Sequence, residues 1–372
     1  MDNKLQEIKA EVDDFYSDDD LFKISSWGAD LSFRELIERY EEGDLIKPEL
    51  QRKYVWDKTE ASRFIDSLLL GLPVPSIFLA KTDSEKQLII DGYQRIMTVY
   101  DFVKGIFSGD GKVFRLVRSE KINSRWRGKA FSELNEVEQR KIRNTTIHAI
   151  IFIQLHPNSD NTSLFQVFER INTSGRTLFP QEIRNCVYQG HFNDLLFELN
   201  KLQDWRSLFG SSIEDQRMRD VELILRFLAL SSDEFNNLDK EQISLKKFLN
   251  QFMSKYKDMT DIEMDGFRNR FINVTTFINE NIASNAFNNL STKNPEKFSP
   301  IFSPTIFDSM MVATDYLLTN HVDMRIEHIN EKRKALLLDS NYRSYITHET
   351  MRVQTIKNRI EKVKQILYNI GI

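Results

Sequence analysis

The 372-residue chain has a single cysteine, Cys186, which excludes an internal disulfide and any thiolate-rich metal site and fits a reducing compartment. It also lacks a large charge excess. Its 51 Lys and Arg stand against 55 Asp and Glu, a net charge of −4, so the whole molecule is not a nucleic-acid-binding polycation and any such site must be local. No apolar run approaches the roughly 20 residues that span a bilayer. The first residues, Met1 to Asp20, are acidic and carry neither the basic nor the apolar region of a secretory signal. The expected location is cytoplasmic, without membrane association.

Several familiar catalytic patterns are absent as well. Gly105 to Lys112 resembles a phosphate loop at a glance, but Ile106 and Val113 stand where a Walker A motif requires Gly and Ser or Thr. The six histidines are scattered; His321 and His328 lie seven apart with no third ligand, so no metal site is expected from the protein alone. Glu327-His328-Ile329 is followed by Asn330 and Glu331 where an HNH nuclease motif wants a proline turn. Neither a Ser-His-Asp order nor a cysteine nucleophile can be argued, and Cys186 reads as core on an amphipathic helix.

What is present is enough apolar material, 41% of residues, to bury a large core, and the length suggests two domains or one domain with a large extension. The fold class read from the pattern is α+β: a small mixed sheet with interspersed helices, followed by a mainly α-helical region. The expected divisions are an acidic extension over 1–20, an α/β domain over 21–160 and a helical domain over 161–372. Asn3 to Tyr16 reads as a charged peripheral helix. Ser32-Phe33-Arg34-Glu35 reads as a capping box, and the helix it opens stops near Gly43. An amphipathic helix follows from about Lys58 to Leu70, with Gly71 as its stop. Ser76 to Ala80 and Gln87 to Asp91 form a hairpin across a polar turn. Val113 to Val117 and Ile147 to Leu155 look like further strands, with a helix from about Ser132 to Arg143 between them. Ser284 to Asn294 reads as a loop among long helices.

One segment carries more chemistry than the rest. Leu88-Ile89-Ile90-Asp91-Gly92-Tyr93-Gln94-Arg95 runs a short apolar strand through Asp-Gly directly into a helix. Gly92 allows a tight turn and close approach of a ligand, and the first amides of a helix, with the helix dipole, favour an anion. Arg95 adds a fork of donors suited to phosphate, Gln94 donates or accepts, and Asp91 is suited to hold Mg2+ or orient a water. An equally physical reading makes Asp91 a helix cap and leaves Gln94 and Arg95 solvated. Both readings stand on these residues alone.

Three further segments join it. Gln51-Arg52-Lys53-Tyr54-Val55-Trp56 sets two donors and two aromatics before a core helix, which Tyr54 and Trp56 would staple to the sheet. Phe168 to Arg176 ends a helix in a polar loop: Asn172 and Gly175 suit a C-cap, while Arg170, Asn172, Thr173 and Arg176 supply donors to close over a nucleotide. Glu182 and Arg184 are placed to pair with charges in that loop. The window Lys112 to Lys129 holds Lys112, Arg115, Arg118, Lys121, Arg125, Arg127 and Lys129 against Glu120, with Trp126 among them. Such a mixture suits nucleic acid through phosphate neutralisation and stacking, and it equally suits a solvated strand and loop.

Taken in order, Gln51-Arg52-x-Tyr54-x-Trp56, Asp91-Gly92-Tyr93-Gln94-Arg95 and Arg170-x-Asn172-x-x-Gly175 resemble the N-terminal domain family of GmrSD-type restriction endonucleases. The resemblance covers roughly Leu21 to the end, where Thr350, Lys357, Asn358 and Arg359 look like that family's closing helix. It implies a fold similar to ParB and sulfiredoxin, defence against bacteriophage, and an Asp-Gly-Gln-Gln-Arg motif that binds and hydrolyses nucleoside triphosphate to control DNA cleavage. Here Tyr93 replaces the first Gln of that motif. Fuller family proteins also carry a C-terminal HNH nuclease domain, and this chain ends without one.

Carried onto this chain, the resemblance assigns Asp91, Gln94 and Arg95 to catalysis. It assigns Gln51, Arg52, Gly92, Tyr93, Arg170, Asn172 and Gly175 to the nucleotide. The implied cofactors are a nucleoside triphosphate and Mg2+, and the implied partners are DNA, a separate nuclease or effector subunit, and further copies of the chain. A non-enzymatic DNA- or partner-binding module switched by nucleotide is the alternative. Direct nuclease activity ranks last, because no clustered carboxylates for two metals surround Asp91.

Overall fold

The computed structural model describes residues 4–7, 23–47, 56–82, 85–156, 162–171, 178–282, 285–320 and 327–370. They fall into two compact units, one formed by Asp20–Leu178 with Asn185–Val187, the other by Met1–Asp19, Phe179–Arg184 and Tyr188–Ile372. Strand β1 (Lys4–Leu5) belongs to the latter. The sheet of the former begins with β2 (Lys23–Ser32). Together they are an α+β protein, with a small mixed sheet in one unit and mainly helices in the other.

In the sheet-bearing unit, the Ser32 hydroxyl accepts from the Glu35 amide and starts α1 (Phe33–Glu42), which Gly43 ends in a left-handed turn. Strand β3 (Leu45–Ile46) follows. Asp57 opens α2 (Lys58–Leu70) through a capping box with Glu60, and Gly71 closes it. Strands β4 (Ile77–Lys81) and β5 (Gln87–Asp91) form the expected antiparallel hairpin, which leads into α3 (Tyr93–Lys104). The two-residue strands β6 (Ile106–Phe107) and β7 (Lys112–Val113), helix α4 (Glu136–Asn144) and strand β8 (Thr146–His156) complete the frame.

The five-stranded sheet runs β2-β8-β4-β5-β3. One face carries Leu31, Ile77, Leu79, Ile89, Ile147, Ala149 and Ile151, all buried in one apolar core with residues of α1, α2, α3 and α4. Burial of such side chains contributes about 25 cal/mol per Å² of apolar surface, the main term holding this layer together. Strand β3 runs parallel to β5, so the chain leaving Ile46 travels toward the Asp91 end of β5.

Several expectations are corrected. The ten-residue edge strand β2, paired antiparallel along β8, was not expected, because its sequence is polar and largely exposed rather than alternating. Val113 to Val117 is not a strand: β7 stops at Val113, and Arg115 makes only an isolated bridge to Ala130. Lys4–Leu5 is not helical but pairs in parallel with Ile301 and Phe302. The segment read as a loop after Ser284 contains β9 (Asn288–Leu290), paired with β10 (Phe298–Phe302).

The second unit is mainly helical. Its core gathers Trp205, Phe271, Phe302 and Phe307 around the apolar helix Pro304–Thr319, which packs on Arg219–Leu230, Asp261–Asn281 and Val353–Tyr368. At its centre Asp308, fully buried, accepts from Arg226 at 2.5 and 3.0 Å and from Arg359 at 2.9 Å. Arg359 therefore belongs to a buried charge cluster. No helix of the described residues is long and apolar enough to cross a membrane.

Candidate functional site

The strand-to-helix junction is set by Gly92, whose φ of 102° and ψ of 1° lie in the left-handed region. A Cβ there would stand 2.2 Å from Ile77 Cγ2, so both the backbone angle and the available space require glycine. Gly92 is the N-cap of α3 and, having no side chain, supplies no side-chain cap itself. The first backbone bond inside the helix runs from the Ile96 amide to the Gly92 carbonyl. Asp91 is thus not a cap. Its Oδ2 instead accepts from Arg95 Nη2 at 2.5 Å, one turn along.

That bond decides how Arg95 is presented. Nη2 also donates to the Ser76 carbonyl at 3.0 Å, while Nε is buried without a hydrogen-bond partner. The Arg95 side chain keeps 15% of its surface exposed and Asp91 keeps 40%. A guanidinium pinned at one nitrogen by a carboxylate and a carbonyl is held in one orientation, with further donors for an anion at the helix start. Ser76, just before β4, supplies this second anchor through its backbone and carries no sequence signal for doing so.

The end of the first motif meets the second. The Trp56 amide donates to Gln94 Oε1 at 3.3 Å, and the Trp56 ring packs edge-on to Phe64 of α2 with centroids 5.6 Å apart. Trp56 therefore ties α2 to the first turn of α3, where a staple to the sheet was expected, and Tyr54 lies outside the described residues. Gln51, Arg52, Asn172 and Gly175 lie outside the described residues, as do Thr173 and Arg176. Arg170 is exposed on the last turn of helix Thr162–Ile171.

Tyr93 differs from its assignment to the nucleotide. It is 4% exposed within the apolar core, with Lys47 Nζ 5.7 Å from its ring centroid. An aromatic at the helix's first position is drawn into the core by its apolar area, where an amide would face solvent. The Asn172 loop with which Glu182 and Arg184 were expected to pair lies outside the described residues. Glu182 pairs with Arg217, and the buried Arg184 pairs with Glu222 and Asn250, all within the helical unit.

The basic window is pinned from beneath by α2. Ser62 Oγ accepts from the Val117 amide, and Asp66 Oδ1 accepts from the Asn123 amide at 3.0 Å and from Trp126 Nε1 at 2.5 Å. Trp126 is 4% exposed, so no base can stack on it and its assignment to nucleic acid is corrected. Arg115 makes a two-pronged pair with Glu133, Arg125 pairs with Glu138, and Arg127 donates twice to the Ile122 carbonyl. The hydrogen bonds of Glu133 to Arg115 and to the Ala130 amide hold its carboxyl below the ordinary glutamate range. Lys112, Arg118, Lys121 and Lys129 have no ion pair among the described residues.

No group of three His, Cys, Asp or Glu suited to a metal occurs among the described residues. Asp91 has one carboxylate oxygen outside the Arg95 bond, which fits Mg2+ only as an ion carried in on substrate phosphates. No curated protein and no solved structure matches the chain. Residues 33–189, which include the Gly92 junction, match the family described as GmrSD restriction endonuclease, N-terminal domain.

Proposed function

We propose that this chain binds nucleoside triphosphate at the Gly92–Arg95 helix start and hydrolyses it, as a component of an anti-phage restriction system in which turnover regulates DNA recognition or cleavage. The observation that carries the reading is a helix start whose N-cap is a glycine in the left-handed region, beside an arginine fixed in orientation by Asp91 and the Ser76 carbonyl. A solvated first turn would leave Arg95 without these two anchors. The match of residues 33–189 to a restriction-endonuclease N-terminal domain family supports the biological setting.

In this mechanism the amides opening α3 and the Arg95 guanidinium take the phosphates, and Gln94 braces the junction against Trp56. Asp91 acts first by fixing Arg95, and its second oxygen would hold Mg2+ together with the nucleotide. Mg2+ supplies neutralisation of the phosphate oxygens. Phosphoryl transfer asks for positioning and charge stabilisation more than for covalent chemistry, and these residue types provide both. Gln51, Arg52, Arg170, Asn172 and Gly175 complete the pocket in this reading. Purified protein should release phosphate from a nucleoside triphosphate; if Asp91→Ala and Arg95→Ala leave the rate untouched, the assignment fails.

A second reading, a DNA-binding module switched by nucleotide, is favoured by one observation: Lys112, Arg118, Lys121 and Lys129 have no ion pair among the described residues, in a window that Ser62 and Asp66 hydrogen-bond to α2. Four phosphate contacts would give a log–log salt slope of about −3.6 for duplex DNA. A flat dependence removes the window from consideration.

A further inference from the structure

On the sheet face opposite the core, a row of cross-strand neighbours runs from the candidate site to the far edge. Asp91 pairs with Phe78, Phe78 with Ile150, and Ile150 with Gly28, so four strands contribute one residue each. The pairing of β5 skips Ile90, and this bulge brings Asp91 onto the same face as Phe78. Phe78 and Ile150 are half-buried, which leaves an apolar floor between the two polar ends. Three strand spacings separate Asp91 from Gly28, about 14 Å.

The far end of the row is built. His148 Nδ1 lies 2.8 Å from Asp30 Oδ1, its direct cross-strand partner. The imidazole lies over Gly28: a Cβ there would come within 2.7 Å of His148 Cε1 and 3.0 Å of Nε2. A cross-strand ion pair alone would steady an edge strand with any residue at position 28. The missing side chain is what leaves room for the ring above Gly28. Asp30 fixes the ring through Nδ1 and leaves Nε2 as the group available to a ligand. The His148 side chain remains 52% exposed.

We propose that His148, positioned by Asp30 and by the space over Gly28, contacts the nucleoside end of a nucleotide whose phosphates lie at Arg95. The inference rests on the nucleotide reading above and deepens it: the ligand lies across the strands, its sugar and base cover Phe78 and Ile150, and His148 Nε2 hydrogen-bonds the base. His148 is thus a specificity-determining residue, while Asp30 is a positioning residue.

The test compares the four common nucleoside triphosphates with inorganic tripolyphosphate, which has the phosphates and no nucleoside, by calorimetric titration of the full chain. In His148→Ala the preferred nucleoside triphosphate is expected to bind about tenfold more weakly, with tripolyphosphate unchanged within twofold. Gly28→Ala, which keeps the imidazole but displaces it, should reproduce the selective loss, and Asp30→Asn, which keeps an acceptor for Nδ1, should lose less. Arg95→Ala should weaken both ligands. Unchanged nucleotide affinity in His148→Ala, or equal loss for tripolyphosphate, overturns the assignment of His148 while leaving the phosphate site standing. A wild type that binds neither ligand overturns the nucleotide reading itself and this inference with it.

Discussion

Gly92→Ala isolates the junction on which the site is built. The left-handed backbone at Gly92, φ 102°, costs an L-residue about 1–2 kcal/mol. The added Cβ also stands 2.2 Å from Ile77 Cγ2 and 2.8 Å from Ile77 Cβ, and Ile77 is fully buried at the start of β4. Relief requires moving strand or helix, at about 1–3 kcal/mol for an overpacked core. The variant should lose about 2–5 kcal/mol in all, a large share of a domain's usual stability. The two contributions separate in a double-mutant cycle with Ile77→Ala, which removes Cγ2 and alone costs about 2–5 kcal/mol. Because the 2.2 Å clash goes with Cγ2 while the 2.8 Å contact with Cβ stays, the double variant should cost about 1–2 kcal/mol less than the sum of the singles. Urea denaturation of the three variants gives the cycle. Additivity within about 0.5 kcal/mol would refute the steric part of the argument.

Three further outcomes follow from the packing. Trp126→Phe removes the donor to Asp66 and should lower stability by about 1–3 kcal/mol in thermal unfolding while leaving any DNA affinity unchanged, because the ring is buried. Asp308→Asn strips the counter-charge from the buried Arg226 and Arg359 and should cost about 3–5 kcal/mol; a loss under about 1 kcal/mol would mean that these guanidiniums are satisfied without it. Burial alone would raise the Glu234 carboxyl, but hydrogen bonds from Lys255, the backbone and Tyr256 overcome it and bring it down to about 2 from 4.5. A depressed folded value contributes stability above the unfolded value that is lost as pH falls from about 4.5 toward 2. Acid titration of unfolding should show that loss, and Glu234→Gln should abolish it.

The parts of the fold legible in the sequence were those fixed by local chemistry. The helix Lys58–Leu70 and its Gly71 stop follow from apolar periodicity and a left-handed cap, and the β4–β5 hairpin from two apolar runs around a polar turn. Strand β2 was illegible because an exposed edge strand needs no alternation when its partner β8 supplies the pairing. In the candidate site, Gly92 and Arg95 could be read from the strand-glycine-helix order. That Asp91 binds Arg95 rather than capping α3 could not, since both uses suit an aspartate at a helix start. Trp126 resembled a stacking residue amid cations, and only its distance to Asp66, 60 positions away in sequence, makes it core. Charged pairs across long separations, such as Arg184 with Glu222, leave no local pattern.

A crystal structure with a non-hydrolysable nucleoside triphosphate and Mg2+ tests the central claim most directly. The account predicts phosphate oxygens at the opening amides of α3 and on Arg95, with Arg52 and Asn172 in contact with the same nucleotide. Nucleotide bound elsewhere on the chain, or a Gly92–Arg95 helix start without phosphate at saturating ligand, would contradict it.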